Sequence, residues 1–200
     1  MNTKIITVLI AVLVTACMLP EKKDKEKDAG KTIPAIAGSF EPVAVIELFT
    51  SQGCSSCPPA DRLLAATIKQ SEGRKIFALS YHVDYWNRLG WTDPFSSAAF
   101  SKRQTDYVSA MHLEGAYTPQ MIVNGTNEFV GSDESSLKKA LSNALSKNAS
   151  VSFSILKAEV EIGAPINVEY RLEGDYTGKE IVFALVSLKE TTSVKRGENS

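Results

Sequence analysis

The sequence carries no excess of charge of either sign. Its 22 Lys and Arg are scattered and balanced by 23 Asp and Glu, for a formal net charge of -1. That leaves no basic footprint for nucleic acid. Histidine and cysteine are scarce, at two and three residues. A four-ligand zinc site built from them would need most of them in one place, and no second Cys-x-x-Cys exists to help. Long apolar runs are missing too. The stretch from Ile5 to Val14 is too short to cross a bilayer as a helix. What remains is ordinary: 44% apolar and 22% charged residues exclude disordered, collagen-like and coiled-coil chains. Two hundred residues hold one domain of usual size, or one and a half.

The short apolar run reads as an address. Lys4 precedes it and Val14-Thr15-Ala16-Cys17 closes it, as in a signal peptide. Those four residues resemble the lipobox of bacterial lipoproteins, where cleavage falls before the Cys and that residue is acylated. Residues 1–16 are therefore expected to be a lipoprotein-type signal peptide and Cys17 the lipid attachment. Cys54 and Cys57 are then left as a pair. The resemblance implies a chain held to a membrane of the bacterial cell envelope. Met18 stands where Asp would signal retention at the inner membrane, which favours the periplasmic side of the outer membrane in a Gram-negative source. Glu21 to Asp28 carries eight charges that cancel and nothing that can bury. Residues 17–40 are expected to be the lipidated Cys and a solvated tether.

The apolar patterning after residue 40 alternates between strand and helix. Val43 to Thr50 and Lys75 to His82 are short runs rich in buried-strand residues. Between them Leu63, Leu64, Thr67 and Ile68 fall at helical spacing from Pro58 to Glu72, with Gly73 as a stop. Residues 96–111 make a second helix that turns Phe100, Tyr107, Val108 and Met111 to a core. Gln120 to Gly125 and Glu128 to Gly131 pair around an Asn-Gly turn. Ser132 is expected to cap a helix with Leu137, Leu141, Ala144 and Leu145 in one stripe. This order of elements is that of an α/β, thioredoxin-like fold over residues 41–148. From Val151 the period becomes two, with a third strand at Ile181 to Leu188. Residues 149–200 are expected to be a β-rich accessory region, a three-stranded sheet that is barely self-sufficient.

Cys54-Ser55-Ser56-Cys57 follows the first strand and opens the first helix, a placement with mechanical meaning. Free N–H groups at a helix start favour a thiolate. Cys54 is the expected exposed nucleophile, and the more buried Cys57 resolves the mixed disulfide. Thr118-Pro119 opens the strand facing the pair in such a fold. A cis Pro119 there would shape a groove for an extended peptide, with Thr118 in it. Sheet topology brings His82, Asp84 and Trp86 to the same edge. His82, Asp84 or Asp61 would relay a proton for Cys57. Trp86 and Trp91 would line a substrate groove or fill a satellite core. Other chemistries stay open. The pair would serve instead as a structural disulfide, or as a copper site with His82, since two thiolates and an imidazole suit Cu(I). Haem attachment is excluded because Pro58, not His, follows Cys57.

Several long motifs together carry a specific resemblance. Glu47 to Asp61 (ELFTSQGCSSCPPAD), His82 to Phe95 (HVDYWNRLGWTDPF), Arg103-Gln104 and Tyr117 to Gly125 (YTPQMIVNG) are similar to the secreted thioredoxin-like family catalogued as domain of unknown function 1223. The resemblance covers about residues 43–200 and implies a fold without a settled substrate. Members usually run on past a Gly-Glu-Asn motif, here Gly197 to Asn199, so the accessory region is expected to be incomplete.

Together these readings predict an envelope thiol–disulfide oxidoreductase using Cys54 and Cys57. Its partner would be an extracytoplasmic protein or small-molecule disulfide or thiol, with no cofactor. The alternatives are a copper-binding module of Cys54, Cys57 and His82, and a non-catalytic binding domain.

Overall fold

Residues 44–50 are buried at every position, so this strand must have neighbours on both edges and layers on both faces. A computed structural model describes residues 39–161 and 164–198 together with the backbone of Val8–Thr15. In chain order the elements are β1 (Val8–Thr15), β2 (Ala44–Thr50), α1 (Pro58–Gln70), β3 (Ile76–His82), a 3-10 helix (Tyr85–Leu89), α2 (Ala98–Ala110), β4 (Gln120–Val123), β5 (Asn127–Val130), α3 (Glu134–Leu145), β6 (Val151–Glu159), β7 (Asn167–Gly174) and β8 (Lys179–Val186). The described residues form two compact units. One holds residues 42–147 and 186–198; the other holds 148–185, 39–41 and most of β1.

The first unit is an α/β layer structure. Its sheet runs β3-β2-β4-β5, with β2 and β3 parallel and both β2–β4 and β4–β5 antiparallel. Alternate residues of β2 feed two cores, as the period of a strand requires. Ala44, Ile46 and Leu48 pack with Ala60 and Leu64 of α1 and with Leu137, Ala140 and Leu141 of α3. Phe49 packs on the opposite face with Val83 and Ile122, flanked by Tyr107 of α2 and by Met111, which caps that helix. Each fully buried large apolar side chain contributes roughly 1.5–3 kcal/mol.

Glu47 faces the second core, in a strand otherwise apolar there, and is 2% exposed. Its carboxylate accepts two hydrogen bonds from Arg103, at 2.6 and 2.9 Å, and one from the Tyr107 hydroxyl at 2.6 Å. The guanidinium lies between Tyr81 and Tyr107, 5.4 and 5.3 Å from their ring centres. Burial pushes the Tyr107 hydroxyl up, and the Glu47 charge adds to it, so it stays a donor. This cluster bolts α2 to the sheet.

The Asn-Gly turn forms as expected, with Asn124 and Gly125 both at positive φ (49° and 65°) and the Thr126 N–H donating to the Val123 carbonyl at 3.2 Å. The cap of α3 is Asp133 rather than Ser132: its carboxylate accepts the Ser136 N–H at 3.0 Å. The second unit corrects the expected three-stranded sheet. β6 and β7 pair antiparallel with a register shift at Ile155/Lys157, whereas β8 pairs with β1. β1 is the apolar run read as a signal core. No helix among the described residues is long and apolar enough to cross a membrane.

Candidate functional site

The end of β2 turns sharply before α1 begins. Cys54 N–H donates to the Ser51 carbonyl at 3.2 Å and Cys57 N–H to that of Cys54 at 3.3 Å. Pro58 and Pro59 then open α1. Proline fits a first turn because no partner for its nitrogen is needed, but the helix start is thereby short of two donors. Cys54 and Cys57 are joined in a disulfide, their Cα atoms 5.5 Å apart. Both residues are 0% exposed. That corrects the expectation of an exposed Cys54 beside a more buried Cys57.

Hydroxyl groups surround the Cys54 sulfur. Thr118 Oγ1 donates to it from 3.3 Å, while Trp86 Nε1 donates to Thr118 Oγ1 at 2.8 Å. An indole N–H can only donate. It therefore occupies a lone pair of the threonine oxygen, and the hydroxyl proton remains for donation to the sulfur. Ser56 Oγ stands 3.4 Å from the same sulfur and 3.3 Å from the Thr118 carbonyl.

The loop that carries Thr118 is itself anchored. The Thr118–Pro119 peptide is cis, as expected. Fully buried Gln104 donates to the Tyr117 carbonyl at 2.7 Å and to Gln120 Oε1 at 2.8 Å. Gln120 in turn donates to Glu128 at 2.8 Å, and the Tyr117 hydroxyl bonds the same carboxylate. Gly131 N–H donates to the Pro119 carbonyl at 2.8 Å. A Cβ at that glycine would stand 2.8 Å from Leu48 and 3.0 Å from Pro119, so only glycine allows the approach.

A polar cluster sits at the ends of β2 and β3, where Thr50 and His82 are register partners. Thr50 Oγ1 donates to Asp61 Oδ1 at 3.0 Å. His82 Nδ1 lies 2.7 Å from Asp93 Oδ2, which also accepts the Gln52 N–H at 2.8 Å. Asp93 Oδ1 accepts the Phe95 N–H at 3.0 Å. Burial pushes the Asp93 carboxyl up, but the bonds from His82, Gln52 and Phe95 outweigh it and hold it below the ordinary value. Asp93, 1% exposed, went unremarked in the sequence. The available signal was Asp93-Pro94, a turn-initiating pair.

Asp61, whose N–H donates to the Cys57 carbonyl at 3.1 Å, is raised above the ordinary 3.8 by burial, against the pull of Thr50 and His82. A carboxyl raised on folding holds its proton above the pH where the unfolded chain releases it. Its charged form therefore costs stability as pH climbs past 3.8. Asp61→Asn should gain stability over wild type at pH 7 and gain nothing at pH 3, measured by thermal unfolding. A gain independent of pH would contradict this.

The remaining expected residues separate. Asp84 is tied to α2: its N–H donates to Ser101 Oγ at 3.0 Å, and that hydroxyl donates back to Asp84 Oδ1 at 2.5 Å. Trp91 lies in the loop after the 3-10 helix, half-buried. His82 is engaged by Asp93, and no group of three metal-ligating side chains assembles among the described residues. Cys17 lies outside the described residues.

One neighbour of the cysteine loop was not anticipated. Glu198 Oε2 accepts from Ser55 N at 3.1 Å and Ser55 Oγ at 2.6 Å, and Glu198 N–H donates to the Gly53 carbonyl at 3.2 Å.

Residues 45–200 match the family described as Protein of unknown function (DUF1223), so the matched region spans β2, the cysteine loop, the Thr118-Pro119 loop and the Glu198 segment. The chain belongs to that family. No curated protein matches it. Among solved structures, the DUF1223 chain is similar to a protein of Agrobacterium tumefaciens determined by X-ray crystallography, at 42% identity and a TM-score of 0.51. That similarity covers 57% of this chain and 52% of the other, so the chain spans about half of that relative's length. It also matches HBP35 of Porphyromonas gingivalis at 16% identity and a TM-score of 0.43, over 59% of this chain and 38% of that one. The second likeness carries no argument.

Proposed function

We propose that this DUF1223 chain is a thiol–disulfide oxidoreductase with a thioredoxin-like fold, working on a protein or small-molecule disulfide. The observation that carries the reading is the Thr118 hydroxyl, 3.3 Å from the Cys54 sulfur and turned toward it by Trp86. A structural disulfide has no use for an oriented donor; a sulfur that must bear negative charge does. In the reductive direction the Cys54 thiolate attacks a substrate disulfide, forming one S–S bond and expelling a substrate thiolate. Cys57, as thiolate, then attacks Cys54, releasing the second substrate thiolate and closing Cys54–Cys57. The two electrons leave with the substrate. Asp61, whose N–H donates to the Cys57 carbonyl and whose carboxyl burial raises above its ordinary value, accepts the Cys57 proton. Pro119 and Trp86 form the wall beside Cys54, and His82 with Asp93 biases the charge around Asp61. The likeness of Val14 to Cys17 to a lipobox supports a bacterial envelope location, with Cys17 as membrane anchor.

Limiting iodoacetamide on the reduced chain should modify Cys54 before Cys57. Thr118→Val should slow that reaction about tenfold at pH 7, because a hydrogen bond to a charged sulfur is lost. Equal labelling of the two cysteines, unchanged by the substitution, would contradict the assignment.

The full burial of both cysteines favours a second reading, a binding domain with a structural disulfide. It requires a bond that glutathione does not open.

A further inference from the structure

Two backbone groups of the cysteine loop and one side chain are taken up by a segment 143 residues away in sequence. The Gly53 carbonyl accepts the Glu198 N–H, and the Ser55 N–H and hydroxyl both donate to the Glu198 carboxylate. Gly197 lies against the Gly53 backbone, its Cβ position 3.4 Å from both the Cα and the carbonyl oxygen. The segment thus pairs with the loop through one accepted N–H and one bound carboxylate, the contacts an extended peptide would make there. Cys54, between the two residues that the segment holds, is wholly buried, although exchange requires a sulfur that a second thiol can approach in line.

We infer that Glu198 is a displaceable cover over Cys54, a positioning residue that must leave the Ser55 N–H before the disulfide can be attacked. The inference rests on the oxidoreductase reading for its purpose, but the cover itself governs access to the disulfide whatever the protein does. Glu198 is exposed at the surface, so its release disturbs no core. Its bonds from Ser55 hold the carboxyl below its ordinary value, with Arg88 as the charged group nearby, so the cover is anionic at neutral pH. The vacated position accepts an acidic residue beside a substrate cysteine, because Ser55 would offer it the same two donors.

The test is the rate at which dithiothreitol reduces the Cys54–Cys57 bond. A dithiothreitol thiolate attacks Cys54, the S–S bond breaks, and Cys57 leaves as a thiolate that takes a proton from water. The second dithiothreitol thiol then closes its ring and frees Cys54, so the reagent is oxidised by two electrons. Glu198→Ala should raise this rate about tenfold, since a charge-assisted hydrogen bond no longer has to break first. Glu198→Gln keeps an acceptor for Ser55 and should stay within about threefold of wild type. The alanine and glutamine variants gaining equally, with the gain abolished by salt, would reduce the effect to charge repulsion and overturn the cover. Rates unchanged in both would overturn it too. Because Glu198 is exposed, both variants should fold, and circular dichroism checks that they do. Failure of the oxidoreductase reading shows separately, in the equilibrium potential rather than in this rate.

Discussion

Arg103→Met should cost about 3 kcal/mol of stability, the largest single loss expected away from the apolar core. Glu47 sits on the central strand with its side chain 3% exposed, and Arg103 supplies two of its hydrogen bonds. Removing the guanidinium leaves a desolvated carboxylate with the Tyr107 hydroxyl as its donor. A buried pair contributes little net stability when intact, because desolvation offsets attraction, yet breaking one half is severe. The double replacement Glu47→Leu with Arg103→Met should therefore recover at least half of the loss. Urea unfolding reads both variants, provided the slope with denaturant is unchanged. A double variant as unstable as the single one would show that the pair is worth its full attraction.

Cys54→Ser should abolish exchange altogether, while Cys57→Ser should accumulate a stable mixed disulfide with glutathione on Cys54. The asymmetry follows from the contacts: Thr118 and Ser56 hydroxyls reach the Cys54 sulfur, and Cys57 is the N-cap of α1. Stability should change little by comparison. Closing a loop of four residues contributes only about 2 kcal/mol by the chain-entropy relation. Mass spectrometry of the trapped adduct locates the sulfur. An adduct on neither variant, with stability falling well beyond that figure, would mark the bond as structural.

Much of the first unit was legible because local and global signals agree there. The β-branched run at 44–50, the proline pair at 58–59 and the Asn-Gly turn each dictate one local structure, and packing asks for the same one. Cys54, Cys57 and Pro119 announce themselves by spacing and by chemistry. The partners that make them a site do not. Trp86 was visible only as a groove or core aromatic, since its hydrogen bond to Thr118 spans 32 residues. Asp93 and Glu198 act across 41 and 143 residues, beyond any periodic signal. The burial of Cys54 is hidden for the same reason: Thr118, which reaches its sulfur, and Trp86, which holds Thr118, come from distant stretches of the sequence. β8 misled differently. Its apolar run marks a strand correctly, but such a run carries no information about which neighbour the strand pairs with.

The central claim is that Cys54–Cys57 is a working couple rather than a staple. Its reduction potential, read by alkylation and mass spectrometry across glutathione and dithiothreitol buffers, tests this most directly. The oriented hydroxyl at the Cys54 sulfur predicts a value between about -120 and -270 mV, among the oxidoreductases. A value below about -300 mV would make the bond a structural one and contradict the account.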